Sequence, residues 1–431
     1  MEALLSLAIA LLVGLLLSRL AKLVQLPAVT AYLVAGILVG PYVLGLFDVP
    51  GLGFTSAENV EEFSIISEVA LGFIAFSIGN EFRISQLKKI GKQATIVGVL
   101  QAVITTVVVD IALIALHFLM PDKLPLPAAI TLGAIAAATA PAATLMVVKQ
   151  YKAKGPLTDI LLPVVALDDA VGLVLFAISF GVAKALGAGS VDAVSIIVNP
   201  LLEIVLSLGL GFLMGLLFSF CERFFHSRSK RLAVSVGFVL LTIGLSMIKI
   251  NLGSVHISFS PLLTCMMLGT VFCNICDFSE ELMDRVDRWT APLFALFFVI
   301  SGAELRLSVF TDLMIVLIGI VYILSRSAGK YTGALWSSKI AKCDDNIVKY
   351  LGITLLPQAG VALGMANQAA ALPQGGELII NITLFAVLVY ELIGPLLTKI
   401  ALTKAGDIDP EGKRNARDEH AAKMAQENAQ Q

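Results

Sequence analysis

Two adjacent aspartates lie in a stretch of the chain that is otherwise without charge. Asp168 and Asp169 fall within residues 161–180, which are apolar and long enough to span a bilayer. A charged side chain at the centre of a membrane helix costs about 2.5–3.5 kcal/mol on insertion scales, and neighbouring like charges also repel each other. Because a chain does not carry that cost for stability, the doublet indicates an ion or proton pathway.

A basic pair further along the chain is a candidate complement for these acids. Arg326 and Lys330 lie in the apolar residues 309–338, where they are four positions apart and share a helix face. Lys330 lies about two turns inside the expected interface, and a buried ammonium needs a counter-ion such as Asp168 or Asp169. We favour Lys330 over Arg326 as the partner. The alternatives are that Arg326 is a packing residue and that Lys330 reaches toward the interface.

Proline interrupts the apolar segment at residues 125–148. Thr139 and Pro141 lie near its middle, flanked by alanines. Proline removes a backbone donor and clashes with the preceding turn, so a helix is expected to break there.

A second apolar segment, residues 346–371, is interrupted at a similar depth by Pro357, Gln358 and Gly360. Two interrupted helices in a chain of this size are typical of a central ion site, where freed carbonyls and half-helix ends face the ion. A pair of simple proline kinks is the alternative.

The composition indicates which elements position these residues. Of 431 residues, 58% are hydrophobic and only 14% are charged, and the mean hydropathy is +0.90. Soluble domains average about 25% charged residues. Apolar runs of about 18 or more residues recur from end to end, which predicts an all-α polytopic membrane protein. The net charge of −2 gives no bulk attraction to nucleic acid.

These runs predict thirteen transmembrane spans, followed by a polar cytoplasmic tail at 404–431 that is expected to be disordered. The interrupted spans are the fifth and the twelfth. Each has four spans before it within its own half, if the halves are the first six and the last six spans. The spans are residues 3–21, 27–45, 62–80, 94–119, 125–148, 156–186, 196–220, 232–250, 257–276, 288–304, 309–338, 346–371 and 377–402.

Basic residues in the loops predict the orientation. Alternate loops hold 18 lysines and arginines, whereas the opposite loops hold only 4, namely Lys123, Lys184, Lys249 and Arg306. Because cytoplasmic loops carry the excess of positive charge, we expect the N-terminus outside and the C-terminus in the cytoplasm.

The remaining polar residues of the spans give weaker signals. The five cysteines and four histidines have no metal-ligand spacing beyond one CxxC at Cys273 and Cys276, so they predict no metal site, and no cofactor is expected besides the sodium ion that Asp169 and Asp168 would bind. Glu68, Asp110 and Glu391 also lie in apolar segments, and the sequence assigns them no role.

Motifs along nearly the whole membrane region resemble one known family. In chain order they are LPAVTAYLVAGILVGP, EVALGFIAFSIGNEF, AAATAPAATL, ALDDA, LFALFFVISGAEL, LPQAGVALGMA and VYELIGPLLTKIALTKAG. On these motifs the chain resembles the monovalent cation:proton antiporters, in particular sodium/proton antiporters of the NapA and NhaA type.

The resemblance implies a fold of thirteen helices in two inverted-topology repeats, with two broken helices that cross. Within a membrane domain at 1–403, the transport core would comprise spans at about 62–186 and 288–402. The dimerisation region would comprise spans at about 1–61 and 196–286. The resemblance also implies a homodimer that works by an elevator-like, alternating-access movement.

The same resemblance implies roles for the site residues. Asp169 would be the main carrier of cation and proton, Asp168 would pair with Lys330, and Thr139 would lie in an unwound stretch beside the ion. One departure concerns Ala140, since NhaA has an aspartate at the position after its threonine. The chain therefore lacks one possible ligand.

The expected function is transport, not enzymatic catalysis. Desolvation penalises a carboxylate's charge, and either a small cation or a proton relieves that penalty, so the two compete for one site. If a cation separates Lys330 from Asp168, Lys330 and Asp169 each lose a proton. Two protons would then exchange for one sodium or lithium ion, electrogenically, across a bacterial inner membrane, with a role in pH homeostasis.

Three other functions are alternatives. Potassium/proton exchange is possible on the same fold. A sodium-coupled organic-anion symporter would not use an acidic doublet for counter-transported protons. An intramembrane aspartyl protease places its aspartates on separate helices, one in a G-x-G-D context, and no such motif occurs here.

Overall fold

The computed structural model describes most of the chain, and every structural statement below concerns those residues. They are 2–23, 26–47, 49, 53–80, 82–188, 199–248, 250–252, 255–276, 279–305, 312–370 and 372–408. Lys249 and Arg306, which entered the prediction of orientation, and residues 409–431 of the predicted tail lie outside them.

The described residues are almost entirely helical. A 3₁₀ turn at Leu44–Phe47 and a short antiparallel hairpin, β1 (Ile250–Leu252) with β2 (Val255–Ile257), are the exceptions. The helices are α1 Glu2–Leu23, α2 Ala28–Val39, α3 Ala57–Glu61, α4 Ser64–Asn80, α5 Ile84–Leu119, α6 Leu126–Ile135, α7 Pro141–Tyr151, α8 Pro156–Ala188, α9 Asn199–Glu222, α10 Arg228–Ser246, α11 Pro261–Ile275, α12 Ser279–Glu304, α13 Leu313–Ile340, α14 Asp345–Thr354, α15 Gly360–Ala369 and α16 Gly376–Ala405.

Many of these helices have the length and composition of membrane spans. Within the described residues, nine are long and apolar enough to cross a bilayer, and α4, α6 and α11 are shorter apolar helices. The prediction of a helical membrane protein is confirmed. The count of thirteen spans and the inverted repeats stay predictions.

Both interrupted segments form two short helices joined by an unwound stretch. α6 ends at Ile135 and α7 begins at Pro141, where proline is favoured because the first helical position needs no backbone donor. α14 ends at Thr354 and α15 begins at Gly360. Several residues separate the halves in each case, so the interruptions are more than simple kinks.

The two unwound stretches meet. The backbone N–H of Ala140 donates to the carbonyl oxygen of Pro357 at 2.8 Å. This hydrogen bond joins the two broken helices at their unwound stretches, and it satisfies one donor and one acceptor that regular helices would have used.

Helix packing divides the chain into two sets. The first set, α5–α8 with α13–α16, carries every residue predicted for the site. The second set comprises α1, α2, α4 and α9–α12. Its core includes the stacked rings of Phe218 and Phe272, whose centroids are 4.3 Å apart.

This packing differs from the predicted division at two helices. α4 packs mainly on α11 and α12, and α12 packs mainly on α2 and α4. Both helices were predicted to belong to the transport core. The packing instead groups them with the second set, because their apolar faces meet helices of that set. The roles of transport core and dimerisation region stay predictions.

The end of the chain's described part is packed rather than extended. α16 continues to Ala405, and Asp407 and Ile408 are buried. Asp407 Oδ2 accepts hydrogen bonds from the backbone N–H and the hydroxyl of Thr158, at 2.6 and 2.7 Å. The predicted tail therefore begins within an ordered segment, which caps the start of α8.

Candidate functional site

The carboxylate of Asp168 lies at the meeting point of three elements. It is fully buried in α8. Its Oδ2 accepts from Lys330 Nζ of α13 at 2.8 Å and from Thr139 Oγ1 of the unwound stretch at 2.6 Å. Its Oδ1 accepts from Gln101 Nε2 of α5. A buried charge needs such partners, and Asp168 has them on both oxygens.

Asp169 is equally buried, with 1% of its surface exposed, but its surroundings differ. Neither carboxylate oxygen has a hydrogen-bond partner within the described part of the chain. Successive residues point about 100° apart around a helix axis, so the side chain of Asp169 points in a different direction from that of Asp168. Since an unpartnered buried carboxylate is costly, this group has a strong tendency to take up a proton or a cation.

The ammonium of Lys330 is surrounded by acceptors. Besides Asp168, it lies 2.9 Å from Thr139 Oγ1, 2.5 Å from the carbonyl oxygen of Ala137 and 3.2 Å from Gln101 Oε1. Its ion pair with Asp168 is fully buried. The structure therefore places Lys330, and not Arg326, as the counter-ion, and it places Asp168, and not Asp169, as its partner.

Arg326 has a different position at the same site. Its guanidinium donates to the carbonyl oxygens of Ala136 at 3.0 Å, Ala138 at 2.7 Å and Leu356 at 2.7 Å. It also lies over the Tyr390 ring, 4.5 Å from its centroid. One buried cation thus ties the unwound stretch after α6 to the stretch after α14.

The backbone carbonyl oxygens freed by the first break therefore already accept hydrogen bonds. Those of Ala136, Ala137 and Ala138 accept from Arg326 or Lys330. The sequence-based expectation was that such carbonyls face an ion. In this structure they bind cations of the protein itself.

The other predicted residues lie around these unwound stretches. Gln358 Nε2 donates to the carbonyl oxygen of Ile135 at 3.1 Å and to Tyr322 Oη at 3.0 Å, while Gln358 Oε1 has no partner among the described residues. Pro141 starts α7 and Gly360 starts α15. A Cβ added at Gly360 would meet no atom within 4 Å, so packing does not require glycine there.

Gln101 belongs to the site but was not predicted from the sequence. It is fully buried and contacts both Asp168 and Lys330. The available signal was a single amide in the middle of an apolar span, which is as common in helix packing as in function.

The acids left without a role lie elsewhere. Asp110 is on α5 against α6, where its Oδ1 would lie 1.8 Å from a Cβ added at Gly133. Glu68 is exposed on α4, and Glu391 is buried on α16. Among the described residues, none of them forms a hydrogen bond or an ion pair with the doublet.

Comparison with known proteins identifies a family. A family model described as sodium/hydrogen exchanger, transmembrane, matches residues 7–404. Two curated relatives match as well. The ammonium/H⁺ antiporter subunit AmhT of Alkalihalophilus pseudofirmus is 26% identical over 290 residues, which is 66% of each chain. The K⁺/H⁺ antiporter subunit KhtU of Bacillus subtilis is 22% identical over 392 residues, which is 89% of each chain.

Solved structures show a likeness in fold. The structure of the sodium proton antiporter MjNhaP1 from Methanocaldococcus jannaschii at pH 8 matches with a TM-score of 0.64 and 20% identity, covering 94% of this chain and 99% of that one. An electron-microscopy map of the same antiporter matches with a TM-score of 0.66 and 18% identity, covering 95% and 98%.

Proposed function

This chain belongs to the sodium/hydrogen exchanger family, and we propose that it exchanges a monovalent cation for protons at the carboxylate of Asp169. One observation carries the proposal. Both oxygens of Asp169 are buried and have no hydrogen-bond partner in the described chain, whereas Asp168 beside it is fully partnered. The doublet therefore offers one free site next to one occupied site.

Exchange follows from competition at that free site. Burial penalises the charge of Asp169, and either a proton or a cation relieves the penalty, so the two exclude each other. If the site faces only one side of the membrane at a time, an ion that binds from one side is released on the other. The competing ion must then bind before the site can return to the first side.

The pair between Asp168 and Lys330 sets the stoichiometry in this proposal. A cation that also draws on Asp168 separates it from Lys330, whose charge is then uncompensated in a buried place, and the ammonium loses its proton. With the proton of Asp169, two protons move for each cation. Transport then carries one net charge, on which a membrane potential acts with about 2.3 kcal/mol per 100 mV.

The two helix sets supply the moving parts. We infer that the first set shifts against the second, which forms a homodimer in a bacterial inner membrane with the N-terminus outside. Polar contacts join the sets at the end of α7: Lys149 Nζ lies 2.6 Å from Asp287 Oδ1 of α12, which also accepts from Ser77 Oγ of α4 at 3.2 Å. Gln150 Oε1 accepts from the backbone N–H of Ala28 at 2.8 Å. These contacts lie on the cytoplasmic side in the predicted orientation.

Sodium, or lithium, is the proposed cation, because a small hard ion suits carboxylate oxygens. Potassium is the second candidate, and ammonium a further one. KhtU is named as a K⁺/H⁺ antiporter subunit and AmhT as an ammonium/H⁺ antiporter subunit, while MjNhaP1 is named as a sodium proton antiporter.

The test is exchange by the purified protein in proteoliposomes. An imposed pH gradient is followed by a pH-sensitive dye while sodium, lithium, potassium or ammonium is added in turn. The proposal expects dissipation of the gradient with sodium and lithium. A response to potassium alone would reassign the cation, and no response to any of the four would overturn exchange.

A further inference from the structure

We propose that Gln101 is a positioning residue, which holds Asp168 and Lys330 together in the cation-free site. The inference rests on the proposed function, since it concerns how the cation-free site is kept in order. Neither the doublet nor the basic pair identifies this residue. It is identified by its contacts.

Both ends of the Gln101 amide bind the ion pair. Its Nε2 donates to Asp168 Oδ1, and its Oε1 accepts from Lys330 Nζ at 3.2 Å. An amide has donors on one end and an acceptor on the other, so it satisfies an anion and a cation at once without adding charge. Gln101 therefore occupies the one oxygen of Asp168 that Lys330 and Thr139 leave open.

Close packing of α5 on α13 fixes the amide in place. A Cβ added at Gly333 would lie 3.0 Å from the carbonyl oxygen of Gln101 and 3.1 Å from its Cα, so glycine favours this close approach of the helices. Thr105 Oγ1 also donates to the Gln101 carbonyl oxygen at 2.7 Å. Gly333 and Thr105 therefore both contact the backbone from which the Gln101 side chain extends.

This arrangement has a consequence for the cation. Drawing Asp168 into the site requires the cation to replace the hydrogen bond from Gln101 as well as the contact with Lys330. Gln101 therefore stabilises the cation-free state and lowers the affinity for the cation. A hydrogen bond to a buried charged group is strong enough to change an equilibrium about tenfold.

The test is Gln101→Met, which fills a similar volume with an unbranched side chain and removes both hydrogen bonds. We expect the KM for the transported cation to fall about tenfold without a gain in maximal rate. Gln93→Met is the matched control. Gln93 lies on the same helix and donates to the carbonyl oxygens of Ala341 and Lys342, at 3.3 and 3.1 Å, away from the site. Its KM should match that of the unmodified protein.

A residue that only supported the fold would give a lower maximal rate with an unchanged or higher KM, and that result would overturn the proposal. If Gln101→Met loses exchange, calorimetry with sodium on the purified protein decides, and binding no tighter than in the unmodified protein would also overturn it.

Gln101→Glu is the second variant, because it keeps an acceptor for Lys330 but loses the donor to Asp168, and it should also bind the cation more tightly. Absence of exchange in the unmodified protein, by contrast, is a failure of the proposed function.

Discussion

The carboxylate of Asp168 accepts hydrogen bonds from three side chains, whereas both oxygens of its chain neighbour Asp169 have no hydrogen-bond partner in the described part of the molecule. The cause is helical geometry, since adjacent residues of α8 face different neighbours. Asp168 faces α5, the unwound stretch and α13. In the proposed function the two identical side chains differ in role, since Asp168 pairs with Lys330 and Asp169 exchanges the cation and the proton.

The ion pair of Asp168 with Lys330 predicts how a substitution changes the transport current. In Asp168→Asn, Lys330 loses its anionic partner and no longer carries a proton through the cycle. We expect exchange to continue at a reduced rate but without net charge movement. The measurement is the voltage dependence of exchange in proteoliposomes with a clamped potential. Current per exchanged cation that equals that of the unmodified protein would contradict the role of the pair.

The proposed competition between cation and proton at Asp169 predicts that cation affinity depends on pH. Cation binding releases protons, so raising the proton concentration shifts the equilibrium toward the cation-free protein, and affinity falls as the pH falls. In the acid range the apparent dissociation constant should rise about tenfold per pH unit for each competing proton. Calorimetric titration with sodium across a pH series measures this dependence. An affinity independent of pH would exclude a shared site.

The buried ion pair predicts a large loss of stability when one partner is removed. Lys330→Met leaves Asp168 without its cation in a fully buried place, which typically costs about 3–5 kcal/mol. The control is Lys339→Met, the same substitution at an exposed position of the same helix. Thermal unfolding in detergent should show a much lower midpoint for Lys330→Met alone.

A second substitution completes that test. Adding Asp168→Leu to Lys330→Met removes the orphaned charge and should recover most of the lost stability. No recovery in the double variant would indicate that Lys330 stabilises the fold through the carbonyl of Ala137 and the hydroxyl of Thr139 rather than through the pair.

The contact between the helix sets predicts a change in rate. The side chains of Lys149 and Asp287 are 25% and 33% exposed, so their ion pair is worth about 1 kcal/mol or less. If this contact breaks in each cycle, Asp287→Asn should raise the maximal exchange rate by up to about fivefold and leave the KM unchanged. The charge-swapped double variant, Lys149→Asp with Asp287→Lys, should restore the original rate. A changed KM with an unchanged rate would place the pair outside the moving interface.

Much of the fold could be predicted from the sequence because its signals are local. Length and hydropathy identify membrane helices, and Pro141 and Pro357 identify the two breaks, since proline acts on its own turn. The division into helix sets could not be predicted in the same way. It depends on which apolar face meets which neighbour, and the faces of α4 and α12 look alike in sequence whichever set they join.

The site could be predicted only in part for the same reason. The cost of burying charge singles out Asp168, Asp169 and Lys330 from the sequence alone. Which aspartate pairs with the lysine depends on the rotation of α8 in the assembled bundle. Gln101 lies in the site only because α5 and α13 pack closely, and no residue pattern in either helix predicts that close packing.

The most direct measurement of the central claim is cation-driven proton exchange in proteoliposomes by Asp169→Asn. Its control is Asp159→Asn, the same substitution on the same helix at an exposed position. We expect Asp169→Asn to insert and fold but to lose exchange with every cation tested, while Asp159→Asn retains it. Exchange by Asp169→Asn at a rate comparable to that of the unmodified protein would contradict the assignment of Asp169 as the shared site of cation and proton.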